Sequence, residues 1–154
     1  MKLEKIKSRY YYLRWYTPRN FIRNIKIFIR GFKYKIQRNK YGVSSVDCWN
    51  FDTYVNKVIY NGLQIYKKDA NCYPGNMTAE EWDNILEEMI YLSGELLKED
   101  SEESNELYDI YCKSNKEEDG EAWFKSITEF ESHKKLCCKR LFDLLYEYGE
   151  NLWW

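Results

Sequence analysis

Between positions 44 and 50 the chain places Ser44, Ser45, Asp47, Trp49 and Asn50, two hydroxyls, a carboxylate, an indole and an amide. At a helix start, such a block suits ligand binding. Free backbone N–H groups and the positive dipole end would hold a phosphate or a ribose there. Arg30, Arg38 and Lys40 lie just upstream and would add positive charge. Trp49 or Tyr41 would stack on a base. The same residues also have a purely structural reading. Ser44 and Asp47 form an S-x-x-D start signal, in which the hydroxyl caps a free N–H and the acid complements the helix dipole. Trp49 would then be buried, with its N–H paired. The polar density exceeds what a cap requires, which keeps the ligand reading in play.

Catalytic chemistry has little support. His133 is the only histidine and stands among Glu131, Lys134 and Lys135 on a helical segment, as a solvated surface residue would. No G-x-S-x-G, P-loop or H-E-x-x-H motif occurs. Asp47 and Asp52 are five residues apart, which sets them on different helix faces and makes a poor carboxylate pair. The five cysteines (Cys48, Cys72, Cys112, Cys137, Cys138) are odd in number and lack C-x-x-C spacing. They read as reduced thiols, and with one histidine they do not make a zinc site. The expectation is a protein without catalysis, metal or cofactor.

These residues must be positioned by helices. From Arg19 to about Arg38, Phe21, Ile25, Phe28, Ile29, Phe32 and Ile36 recur at intervals of three and four, with Arg23, Lys26, Arg30 and Lys33 on other faces. This is a basic amphipathic helix. A shorter helix is expected over residues 2–16, broken by Thr17-Pro18. After Gly42 a helix from Ser44 to about Lys68 would bury Phe51, Val55, Val58, Ile59, Leu63 and Tyr66. Thr78 and Glu81 form a capping box that opens a helix to about Lys98, with Trp82, Ile85, Leu86, Met89, Ile90 and Leu97 inward. Leu107, Ile110 and Tyr111 suggest a short helix between acidic loops at 99–106 and 117–121. The last helix, from about Glu121, carries Trp123, Ile127, Phe130, Cys137, Leu141, Leu144, Tyr148 and Leu152 on one stripe. No segment alternates with period two between hairpin turns, so the fold class is all-α, a compact bundle of four to five helices with a basic amphipathic N-terminal helix.

Length predicts a single helical domain over 1–154. Its charge is unevenly distributed: residues 1–40 carry 13 Lys/Arg and one acid, Glu4, whereas 41–154 carry 11 Lys/Arg and 24 Asp/Glu. The arm is therefore +12, the core −13 and the whole −1. Fifteen Tyr, seven Phe and six Trp favour interfaces as well as a core. The N-terminus has no apolar h-region or cleavage site, and its longest apolar run, Ile27-Phe28-Ile29, is too short to span a bilayer. A cytoplasmic protein with no membrane span is expected.

From Gly42 onward the chain resembles a widespread family of small uncharacterised tailed-phage proteins. The family pattern runs Gly-aromatic-Ser-Asp-x-Asp-x-Trp-Asn-x-Asp, then a helix, a Gly-Tyr-Pro turn, a Glu-Glu-Trp helix start and a closing Leu-Phe…Tyr-Phe…Leu-Trp-Asp. Here Gly42, Ser44, Asp47, Trp49, Asn50 and Asp52 match the first block, Tyr73 and Pro74 the turn, and Glu80, Glu81 and Trp82 the helix start. Leu141, Phe142, Tyr148, Leu152 and Trp153 match the end. Val43, Ser45 and Trp154 depart from the pattern, and two of these replace acids. The resemblance implies a phage-encoded protein of the host cytosol and supplies no activity.

Together these readings predict a phage accessory, anti-defence protein. It would bind and sequester a small anionic ligand, such as a cyclic nucleotide or ADP-ribose derivative used as a host immune signal. The expected ligand-binding set is Arg30, Arg38, Lys40, Tyr41, Ser44, Ser45, Asp47, Trp49 and Asn50, in a homo-oligomer. The alternatives are a protein-binding inhibitor or adaptor that docks its basic helix on an acidic partner, and a nucleic-acid-binding accessory protein. The acidic core repels DNA, which disfavours the last. The basic helix itself has a further, internal role open to it, with its Phe/Ile stripe packed on acidic surface of this chain or of a second copy.

Overall fold

The computed structural model describes residues 18–70, 72–99 and 102–152, with side chains from residue 25 onward except those of 102 and 103. The helix expected over 2–16, the side chains of Phe21 and Arg23, and Trp153 and Trp154 lie outside the described residues. Among the described residues there are five α-helices, two short 3-10 turns and no strand, so the all-α bundle is confirmed. None of these helices is long and apolar enough to cross a membrane. The described residues fall into two compact units, 18–55 and 56–152.

The first unit contains α1 (Pro18–Tyr41) and a 3-10 turn (Asp47–Asn50), and includes the opening turn of α2 (Phe51–Asp69). Pro18 suits a first helical position, because its missing N–H would have no partner there. α1 stops at Gly42, whose φ of +73° is open to glycine but strained for other residues. The Gly42 N–H closes the last turn on the Arg38 carbonyl at 2.8 Å.

The second unit contains the rest of α2, then α3 (Ala79–Leu96), α4 (Glu102–Ser114) and α5 (Glu117–Tyr148), with a 3-10 turn after α5. Its core is Leu63 of α2, Trp82, Leu86, Met89, Leu92 and Leu96 of α3, and Cys137, Leu141 and Leu144 of α5. The inward faces expected for α3 and α5 are observed, since every residue named for them is buried or half-buried. The capping box is present too: the Glu81 N–H donates to Thr78 Oγ1 at 3.2 Å, and the Thr78 N–H donates to Glu81 Oε2 at 2.7 Å. Ser93, buried in mid-helix, donates its hydroxyl to the Met89 carbonyl at 2.8 Å, so no polar group is stranded there.

Four local expectations are corrected. The helix expected from Ser44 begins instead as the 3-10 turn, and α2 proper starts at Phe51. Phe51 and Val58, expected inward, are exposed. Residues 117–121, read as a solvated loop, are the opening of α5. Glu117, Glu118 and Asp119 stand in its first turn, where acids complement the dipole. Gly120 lets the Tyr111 ring approach, because a Cβ there would lie only 3.0 Å from it. Likewise α4 is longer than expected and takes in part of the acidic 99–106 stretch.

Candidate functional site

The link between α1 and α2 is organised by one carboxylate. Asp47 is 7% exposed. Its Oδ2 accepts from Arg38 Nε at 2.8 Å, from the Ser44 N–H at 2.9 Å and from Ser44 Oγ at 2.7 Å. Its Oδ1 accepts from Arg38 Nη2, completing a two-pronged guanidinium–carboxylate pair. The Arg38 guanidinium, aided by the two Ser44 donors, holds the Asp47 carboxyl at about 2, against the opposing effect of burial. Asp47 in turn raises the pKa of Arg38. Around this lock, Ser45 donates its N–H (3.1 Å) and hydroxyl (3.2 Å) to Gln37 Oε1. The Tyr54 hydroxyl donates to the Gly42 carbonyl.

This geometry sorts the nine residues expected at a ligand site. Arg38, Ser44 and Asp47 are brought together, and they satisfy one another. The Ser44 hydroxyl donates to Asp47 and does not cap a helix N–H as expected. Ser45 turns to α1. Lys40 stands with its ammonium 5.0 Å from the Tyr41 ring centroid, which is cation–π distance. Arg30, Tyr41, Trp49 and Asn50 are exposed. Trp49 is 81% exposed, so the structural reading that buried it is also corrected.

The same lock fixes which side of α1 faces solvent. Residues of an α-helix step by about 100°. Half-buried Ile27, Tyr34, Gln37 and Arg38 therefore lie on one side of α1. The stripe of Ile25, Phe28, Ile29, Phe32 and Ile36 lies on the other, and all five are exposed, Phe28 at 75%. Lys26, Lys33 and Lys40, seven apart, run along one edge, and Lys35 stands at the other. α1 contains eight Lys/Arg and no acid. An isolated exposed apolar residue is ordinary, whereas these five form one exposed apolar stripe along the helix.

Two further places in the second unit carry polar chemistry. His133 Nε2 lies 3.4 Å from Cys137 Sγ and 3.5 Å from Glu95 Oε2. Sequence reasoning missed this constellation, whose one local signal is the four-residue spacing of His133 and Cys137. Both contacts fall on the same ring nitrogen, so the imidazole cannot relay a proton from thiol to carboxylate through its two nitrogens. Burial also pushes the Cys137 thiol up, the wrong direction for a nucleophile. The second place is an open cleft of about 240 Å³ with Tyr66, Trp82 and Leu86 as its apolar wall and Lys67 at its side. Lys67 is engaged by Asp83 at 2.9 Å and Glu87 at 2.6 Å. Trp82 Nε1 is buried without a hydrogen-bond partner among the described residues, its ring flanked edge-on by Tyr66 and Tyr148. Among the described residues no group of three or more His, Cys, Asp or Glu is placed to hold a metal ion.

No protein-family model, curated protein or solved structure matches this chain.

Proposed function

We propose that this protein acts by binding, as a phage-type accessory factor that docks the apolar, lysine-edged face of α1 on an acidic partner surface. The carrying observation is the orientation of α1. Its polar side is tied to Ser45 and Asp47 through Gln37 and Arg38, while Ile25, Phe28, Ile29, Phe32 and Ile36 are left exposed. Helix-in-groove recognition uses anchors at this spacing. Lysines along the edges add attraction to carboxylates and speed encounter.

The small-ligand reading keeps the exposed Lys40–Tyr41 pair and the separately exposed Trp49 ring. It loses Arg38, Ser44 and Asp47 as ligand contacts, since these already pair with one another. Sequestration of an anionic nucleotide therefore stands second.

One experiment ranks the two. A photo-cross-linking amino acid at position 28 of the full chain, expressed in bacteria, is expected to give a discrete adduct, at least fivefold weaker when Lys26, Lys33 and Lys40 are changed to Glu. Scattered or absent adducts would remove the docking reading. A thermal shift across cyclic nucleotides and ADP-ribose, lost in Tyr41→Ala and Trp49→Ala, would put sequestration first.

A further inference from the structure

We infer that the acidic surface taken by α1 belongs to a second copy of this chain. This rests on the docking reading and names its partner. Two α1 helices do not suit each other. With eight Lys/Arg and no acid in α1, apposed stripes would set its lysine edges against their own kind. The complement lies further along the chain, where residues 41–154 hold 24 acids against 11 Lys/Arg.

Most acids of α3 already have cationic partners. Asp83 and Glu87 engage Lys67, Glu88 engages Arg140, and Glu95 engages Lys98. α5 is different. Helical spacing sets Glu117, Glu121, Phe124 and Glu131 along one face, and all four are exposed, Phe124 at 63%. The three glutamates make no ion pair among the described residues. Over residues 117–131 this strip is an aromatic with acidic neighbours, with Lys135 just beyond it on the same face, whereas the α1 face is aromatic with basic neighbours. Each offers the other apolar contact and opposite charge. In a two-fold dimer the contact would form twice, α1 of each copy on α5 of its partner.

The test is a charge swap, read by sedimentation velocity of the full chain. The wild type is expected to associate in about 0.05 M NaCl and to dissociate at least tenfold more readily in about 0.5 M, where the screening length is about threefold shorter. Lys26/Lys33/Lys40→Glu and Glu117/Glu121/Glu131→Lys are each expected to sediment as monomers with unchanged helical circular dichroism. An equimolar mixture should associate again, because every α1 then meets an α5 of opposite sign. A monomeric wild type at low salt, or a variant that stays associated alone, would overturn the inference. The cross-link at position 28 separates this failure from that of the docking reading. An adduct with the mass of two chains supports the second copy, and one of another mass overturns it while docking stands. No adduct overturns both.

Discussion

Asp47 answers to four donors at once, and its partners both precede it in sequence, Arg38 by nine residues and Ser44 by three. Such a carboxylate stabilises the fold only while ionised. Its folded pKa is about 2, and that of an unfolded aspartate is about 3.9. The folded value is the lower one, so the contribution is complete above about pH 4 and is lost as pH falls through about 2. Near neutrality it amounts to about 2 kcal/mol. Asp47→Asn keeps the shape but cannot receive the guanidinium as an anion. Urea unfolding should show the variant about 2 kcal/mol less stable at pH 7, with the gap closing to a few tenths near pH 2. Equal stabilities at pH 7 would mean that the pair adds nothing beyond solvation. The pair itself was not legible in the sequence. Arg38 and Asp47 each looked like a ligand contact, because nothing local says that the Gly42 turn folds one back on the other.

At the scale of elements, legibility followed periodicity. α3 and α5 were readable because their inward residues recur every three or four positions, and they do form the core. The opening of α5 was missed because three acids in a row read as solvated loop, although at a helix N-terminus they are favourable. α1 was read correctly as amphipathic. Periodicity gives the apolar side of a helix but not what covers it, so the exposure of Phe28 and Phe32 became visible only with the structure. The capping box at Thr78 is the most local of these signals. Thr78 accepts from the Glu81 N–H, and Glu81 holds its own carboxyl below the usual range by accepting from the Thr78 N–H and hydroxyl. Thr78→Ala removes the hydroxyl and should cost about 1 kcal/mol. In a chain of this size that corresponds to a fall in Tm of about 2–4 °C. Thr78→Ser should stay close to wild type. If Ala and Ser melt together, the start of α3 is fixed by packing of Trp82 rather than by its cap.

For the whole molecule, net charge is a poor guide to behaviour. The sum of −1 and a pI near 6.0 describe a protein that should pass through a cation exchanger above pH 7. Residues 1–40 nevertheless carry +12 and residues 41–154 carry −13. An exchanger responds to the local field, which is screened over about 10 Å at 0.1 M salt. A segregated charge of that size therefore acts as a patch, not an average. If the basic arm is free at about pH 7.5 and low salt, the full chain should be retained on both cation and anion exchangers and be eluted from each by salt, whereas a chain paired with a second copy as inferred above should pass the cation exchanger. Changing Lys26, Lys33 and Lys40 to Glu should sharply weaken retention on the cation exchanger and strengthen it on the anion exchanger. Flow-through of the wild type on the cation exchanger would mean that the basic arm is already neutralised in solution. If that flow-through accompanies association in sedimentation, the arm is occupied by a second copy. If it accompanies a monomer, the arm is covered by the chain's own acids, and the docking face of α1 is closed.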